Sequence, residues 1–167
     1  MTSPKSNSSR RQAKYWALVF VVLVGGIAAY YQFSDTDARA STYIDPADGA
    51  MVDLGRKVYV AQCASCHGAE LEGQPDWRTR LPNGRLPAPP HDVNGHTWHH
   101  PDAVLFDIVK NGLVPGVTAP AGYQSDMPAY RDLLSDEEIR ASLAYIKSRW
   151  PKKAQEIQRK MTEQATQ

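Results

Sequence analysis

Hydrophobic positions fall into two regimes along this chain. One is an unbroken run near the N-terminus; the other, from residue 50 onward, is a set of short periodic stretches punctuated by proline and glycine. The unbroken run extends from Tyr15 to Phe33, 19 residues without a charge. As a helix it would measure roughly 28 Å, close to the ~30 Å hydrocarbon core of a bilayer. Tyr15 and Trp16 mark one end and Tyr30, Tyr31 and Phe33 the other, as expected of the two membrane–water interfaces. The run is apolar on all sides, which argues against a core helix with one buried face. The pattern predicts a transmembrane anchor over residues 15–33.

The periodic stretches predict an all-α domain. A first helix is expected from about Ala50 to Gln62, with Val52, Val58, Tyr59 and Gln62/Cys63 at helical spacing around Gly55. Residues 68–100 carry Pro82, Pro87, Pro89 and Pro90 with Gly73, Gly84 and Gly95, and read as loop. So long a loop is abnormal in a small domain unless it packs against something, which points to a large non-protein group at the centre. A second helix is expected from Pro101 to Asn111-Gly112, with Val104, Leu105, Ile108 and Val109 as its apolar face. A third starts at the capping box Ser135-Asp136-Glu137-Glu138 and ends at Trp150 before Pro151, burying Ile139, Leu143, Ile146 and Trp150. The polar, basic tail from Lys152 to Gln167 is expected to continue as a frayed, exposed helix. No strand signal is present.

Composition and charge add location. With 167 residues, 42% hydrophobic, 22% charged and a formal net charge of +1, the chain suits one folded domain. It lacks the strongly basic balance of a nucleic-acid binder. Residues 1–14 hold Lys5, Arg10, Arg11 and Lys14 and no acid, whereas Asp35 and Asp37 follow the apolar run. That asymmetry orients the N-terminus inward and everything downstream outward. Ala38-Arg39-Ala40 has the form of a signal-peptide cleavage site, but the apolar run exceeds a usual signal core and an arginine sits inside the motif. A retained anchor is therefore preferred to a cleaved signal, and either exports the remainder. The expected organisation is a cytoplasmic basic N-terminus (1–14), anchor (15–33), linker (34–48), folded domain (49–151) and polar tail (152–167). It is single-pass in the inner, cytoplasmic membrane with the domain facing the periplasm.

The chemistry is concentrated in Cys63-Ala64-Ser65-Cys66-His67. Two thiols at this spacing on the last turn of a helix can reach both vinyl groups of one haem, with His67 beneath the iron. C-x-x-C-H reads as c-type haem attachment. A thioredoxin-like pair needs a βαβ context that is missing, and a zinc site needs further ligands at fixed spacing. Of the four methionines, Met127 alone lies in an irregular segment between predicted helices, where its thioether could approach the iron opposite His67. The other reading of Met127 is a gap-filling core residue. Filling both axial positions leaves outer-sphere electron transfer as the remaining chemistry.

Residues 50–150 resemble a class I (mono-haem) cytochrome c. Gly55-x-x-x-Tyr59-x-x-x-Cys63 is similar to that family's first-helix pattern, Leu143-Ala144-Tyr145-Ile146-Lys147 to its last-helix signature, and Ser125-Asp126-Met127-Pro128 to its methionine loop. The resemblance implies three main helices and long loops around one covalently bound haem c, with Gly55 permitting a close helix crossing into which Tyr145 packs. It implies a proline carbonyl accepting a hydrogen bond from the ligand histidine, at Pro89 with Pro90 as the competing choice. It also implies electron carriage. With both axial positions filled an independent enzyme is not expected; the chain reads as a one-electron carrier that works with redox partner proteins of a respiratory or related chain, or as an electron-transfer subunit of an oxidoreductase complex. Ser142 stands where the family usually places an apolar residue, which predicts looser or slightly shifted helix packing. Trp77 to His100 resembles a membrane-anchored bacterial subgroup.

Other residues carry weaker signals. His91, His96, His99 and His100 read either as a copper site or alternative axial ligand, or as a solvated rim loop whose His100 caps the helix at Pro101. Trp77, Arg78, Arg80, Trp98 and Tyr123 have donors for haem propionates, and each is equally explained by loop packing. Lys147, Arg149, Lys152 and Lys153 form a basic stretch suited to an acidic partner or anionic lipid, or simply a solvated face. Two further functional readings stay open: a ligand-sensing haem protein in which Met127 dissociates, and a metal-handling module built on the histidine loop.

Overall fold

A computed structural model describes residues 43–166 and, nearer the N-terminus, positions 14, 16–17, 19–20 and 23–26. The chain divides into two compact units, residues 1–41 and 42–167. In the first unit the described positions are helical, with Trp16, Phe20 and Leu23 exposed. The expected anchor over 15–33 lies largely outside the described residues. Among those described, no helix is long and apolar enough to cross a membrane.

The second unit is helical, and its described residues contain no strand, only an isolated bridge between Pro115 and Ala119. Helix α1 spans Gly49–Gln62, starting where the Asp48 carboxylate accepts from the N–H groups of Ala50 and Met51 at 3.1 Å each. Such a cap stabilises a helix by about 1 kcal/mol. A one-turn helix α2, Ala64–His67, follows directly. After a long loop and a 3₁₀ turn at Thr97–His99 comes α3, Asp102–Asn111. Pro101 occupies its cap position rather than its first turn, and no side chain caps it, so His100 does not play the capping role expected from the sequence. Helix α4 spans Asp136–Ser148 and opens with the predicted capping box: Ser135 Oγ accepts from the Glu138 N–H, and Glu138 Oε2 accepts from the Ser135 N–H.

The core lies where α1 crosses α4. Val58 and Tyr59 from α1 meet Ile139, Leu143, Ala144 and Ile146 from α4, with Leu71, Leu105, Tyr130, Leu134 and Trp150 closing around them. A methyl group on Gly55 would overlap the Ala141 carbonyl and come within 3.0 Å of Tyr145 Cβ, so only glycine lets the backbones meet. The Tyr145 ring packs on Tyr59 at 5.4 Å between centroids. Ser142 lies on the α4 side of this crossing. It is buried, and its hydroxyl donates to the Ile139 carbonyl at 2.8 Å, one helical turn back.

The C-terminal tail corrects the sequence reading. Lys152–Ala165 forms a fifth helix, α5, that buries Ala154, Gln158 and Thr162 within the same compact unit, so no boundary falls at residue 151. Gln158 Nε2 donates to Asp102 Oδ1 at 2.7 Å and to the His100 carbonyl at 3.2 Å, and the Asp102 N–H donates to Thr162 Oγ1 at 3.0 Å. The same carboxylate accepts from the Ile44 N–H at 2.7 Å and from Lys147 Nζ at 2.7 and 2.8 Å. Lys147 is 0% exposed and its ammonium lies over the Tyr43 ring at 4.2 Å. It therefore leaves the solvated basic stretch proposed from sequence and becomes part of a buried polar node.

Candidate haem site

The C-x-x-C-H segment is shaped by ordinary helix geometry. Helix α1 ends as the Cys63 N–H donates to the Tyr59 carbonyl at 2.8 Å, and the next turn brings the His67 N–H to the Cys63 carbonyl at 2.9 Å. Gly68, at φ +83°, then turns the chain away. Tyr59, fully buried in α1, donates its hydroxyl to the Gly68 carbonyl at 2.8 Å and so pins the turn from below. Cys63 packs against the core and Cys66 is exposed; both thiols are free. Burial, and then Cys66, push the Cys63 thiol up to about 11.

His67 is buried, and its Nδ1 lies 2.8 Å from the Pro89 carbonyl oxygen. A carbonyl only accepts, so Nδ1 carries the proton and Nε2 is left with its lone pair. Burial lowers the pKa of this imidazole, the Pro89 bond acting against it, so the ring is neutral near pH 7. Two free thiols one helical turn apart and a neutral imidazole with its outer nitrogen available make a donor set that fits covalently attached haem.

The Pro89 carbonyl is delivered by backbone pairing between two loop stretches. The Gln74 N–H donates to the Ala88 carbonyl at 2.9 Å, and Gln74 Oε1 accepts from the Ala88 N–H at 3.0 Å. The His91 N–H donates to the Leu71 carbonyl at 2.8 Å, and the Gly73 N–H returns to the His67 carbonyl at 2.8 Å. Gly73, at φ +69°, lies so close to the Pro89-Pro90 backbone that a Cβ there would overlap it. From sequence Gly73 reads only as a loop glycine, because a glycine in a loop carries no sign of what approaches it.

Such a helical domain, with a C-x-x-C-H turn and a carbonyl-held histidine, defines a c-type cytochrome. Residues 50–146 match the family described as Cytochrome C oxidase, cbb3-type, subunit III, and the chain belongs to that family. It is also similar to cytochrome c-555 of Prosthecochloris aestuarii, 34% identical over 77 residues that cover 41% of this chain and 78% of that protein. No solved structure matches. Family membership brings with it the role of electron carrier and a covalently attached haem c, and the Cys63 and Cys66 pair fits the attachment motif.

Met127 sits on the segment between α3 and α4, half-buried against the core, its N–H bonded to Ser125 Oγ at 3.0 Å. Three residues on, Tyr130 donates its hydroxyl to the Gln62 carbonyl at 2.9 Å, tying this segment to the residue before Cys63. The Tyr130 hydroxyl is pushed up by burial and then by Cys63 and Cys66, which reflects its closeness to both sulfurs. Arg85 pairs with Asp126, linking the histidine-side loop to the methionine segment.

Among the possible propionate donors, Arg78 lies over the Trp77 ring at 4.1 Å and Arg80 over Tyr123 at 5.8 Å, while Arg80 Nη1 also donates to the Gly84 carbonyl at 2.6 Å. Trp98 Nε1 donates to the Val93 carbonyl at 3.4 Å. The histidine cluster divides only in part. His96 stacks on Trp77 at 5.7 Å and meets His100 edge-on at 5.5 Å, His99 lies tilted over Trp98 at 3.7 Å, and His91 turns inward to stack on His67. Among the described residues no three histidine, cysteine or acidic side chains converge to hold a metal ion. Arg149 pairs with Glu70 at 3.3 Å on the surface, and Lys152 and Lys153 are exposed.

Proposed function

We propose that this chain is a membrane-tethered one-electron carrier of a respiratory or related chain, with His67 and Met127 as the two axial ligands of its haem iron. The observation that carries the reading is the 2.8 Å contact from His67 Nδ1 to the Pro89 carbonyl beside the two free thiols. When bound, haem c supplies a one-electron iron couple. His67 presents Nε2 toward it, and the Pro89 carbonyl fixes the tautomer and raises the basicity of that nitrogen. Met127 is supported as the second ligand by its half-buried place on a segment anchored to Gln62. A thioether in that position favours ferrous iron and raises the potential. With His67 and Met127 both holding the iron, no position would be left for a substrate, and one-electron exchange is the chemistry the group would supply.

Tethering is supported by the charge-free run over 15–33, with basic residues before it and acidic residues after it. On this reading the haem domain faces the periplasm from the cytoplasmic membrane, and the anchor confines its search for redox partner proteins to the membrane surface.

Absorption spectroscopy of the full chain, matured with haem attached, tests the ligation. The reduced protein is expected to be six-coordinate and indifferent to carbon monoxide, and Met127→Ala is expected to open the iron to it. Rapid carbon monoxide binding by the unaltered protein at neutral pH would overturn the reading in favour of a sensing haem protein. Retention of the haem domain in washed membranes, accessible to protease from the periplasmic side, tests the tether; release into the soluble periplasmic fraction refutes it.

A further inference from the structure

The His67 imidazole is constrained on two sides, and the Pro89 carbonyl accounts for only one. The ring of His91 stacks on it with centroids 4.0 Å apart and planes 24° from parallel. His91 is itself anchored at three points. Its Nδ1 meets Thr97 Oγ1 at 2.8 Å, its N–H donates to the Leu71 carbonyl at 2.8 Å, and its carbonyl accepts from Trp150 Nε1 at 2.7 Å. Thr97 and Trp150 are both buried. The stacking ring is thus fixed to the 3₁₀ turn and to the end of α4, which is part of the core.

We propose that His91 is a positioning residue that sets the plane of the His67 imidazole by stacking against its face. The torsion that turns an imidazole about its Cβ–Cγ bond is broad. A single hydrogen bond at Nδ1 fixes one edge of the ring and tolerates rocking of the rest. A flat neighbour at 4.0 Å removes that freedom, because rocking in one direction drives the rings together and in the other opens a gap that costs their dispersion contact. An aliphatic side chain at position 91 would fill the volume without a flat face and without the Thr97 bond that orients it. The consequence is electronic as well as steric. The orientation of the imidazole plane determines which iron d orbital its π system meets, so the anisotropy of ferric iron and its reduction potential both register the stack.

This inference rests on His67 being an iron ligand, and the experiment separates the two. Four forms of the full chain with haem attached are compared: unaltered, His91→Leu, His91→Phe and His67→Gly. The readouts are low-temperature electron paramagnetic resonance of the ferric state, the hyperfine-shifted imidazole resonances and the reduction potential. His91→Leu is expected to shift the largest g value and the His67 ring resonances while keeping a six-coordinate low-spin spectrum. His91→Phe, which retains a flat face, is expected to fall between His91→Leu and the unaltered protein. Identical g values and ring shifts in His91→Leu and the unaltered protein would overturn the positioning role. If His67→Gly keeps the axial-ligand spectrum of the unaltered protein, the ligation reading itself fails, and the positioning role with it. Should His91→Leu not mature, the reduced, diamagnetic unaltered protein decides: ring-to-ring nuclear Overhauser contacts between His67 and His91 are expected, and their absence overturns the proposal.

Discussion

Replacing Lys147 by methionine should be among the most damaging single changes in the domain, although Lys147 touches no part of the haem site. Its ammonium is fully buried beside an Asp102 carboxylate that is itself 1% exposed. Burial pushes the Lys147 pKa down and the Asp102 carboxylate pulls it back up, burial being the larger effect. A buried ion pair is weak evidence of net stability; each charge here neutralises the other. Methionine keeps most of the buried volume and removes the countercharge, leaving a carboxylate held by two neutral donors, the Ile44 N–H and Gln158 Nε2. Breaking a buried pair from one side typically costs about 3–5 kcal/mol. The two surviving donors put the expected loss near the lower end, about 3 kcal/mol. With a urea slope of about 2 kcal/mol per molar, that is a midpoint shift of roughly 1.5 M. The double replacement Asp102→Asn with Lys147→Met removes both charges and keeps an acceptor for Ile44, so it should recover most of the loss. Urea unfolding of the haem-loaded chain, followed by far-ultraviolet circular dichroism, measures both. A single variant that loses less than about 1 kcal/mol, or a double variant no more stable than the single, refutes the argument that an unpaired buried charge dominates.

Gly55→Ala forces a methyl group into the Ala141 carbonyl at the helix crossing and should cost at least the ~1–3 kcal/mol usual for overpacking, read as a lowered unfolding midpoint. Gly73→Ala displaces the Pro89-Pro90 backbone and strains a left-handed turn; it should weaken the His67–Pro89 bond and lower the basicity of Nε2, seen as a shifted reduction potential with both thioether links intact. Ser135→Ala should cost about 1 kcal/mol at pH 7 through loss of the helix cap. Part of that cost depends on pH: the Ser135 N–H and hydroxyl hold the Glu138 carboxyl below its usual 4.5. The unfolded chain then binds more protons between the folded value and 4.5, so the stabilisation is complete above 4.5 and disappears as pH falls through the folded value. Unfolding midpoints of the unaltered and Ser135→Ala chains should therefore draw closer in acid without meeting, since the Ser135 Oγ bond to the Glu138 N–H does not titrate.

Helices α1, α3 and α4 were legible because each announces itself locally. The Ser135–Glu138 box marks a start, Pro151 marks a stop, and the apolar spacing of Ile139, Leu143, Ile146 and Trp150 gives the buried face; Asp48, which caps α1, read only as the end of the linker. The C-x-x-C-H turn was legible for the same reason, five consecutive residues carrying its chemistry. What escaped was tertiary. Lys147 and Gln158 look like surface residues by type, and nothing nearby in sequence shows that Asp102, 45 and 56 positions away, waits to pair with them. His91 read as one of four loop histidines; only the Leu71–His91 and Trp150–His91 bonds turn it inward. The frayed-tail expectation failed because α5 buries small and neutral polar residues, Ala154, Gln158 and Thr162, instead of the large aliphatic ones that a periodicity search weighs.

The docking of α5 bears on where this protein can be divided. The stretch shared with its family stops at residue 146, which invites truncation soon afterwards. A chain cut there would strip Asp102 of Lys147, Gln158 and Thr162 together, and would remove the indole of Trp150 from the His91 carbonyl. Nascent protein meets the same condition: until residues 147–162 have been made and have folded back, Asp102 lacks these partners and His91 lacks its Trp150 bond, so a premature stop within that stretch should behave as a folding lesion rather than a trimmed extension.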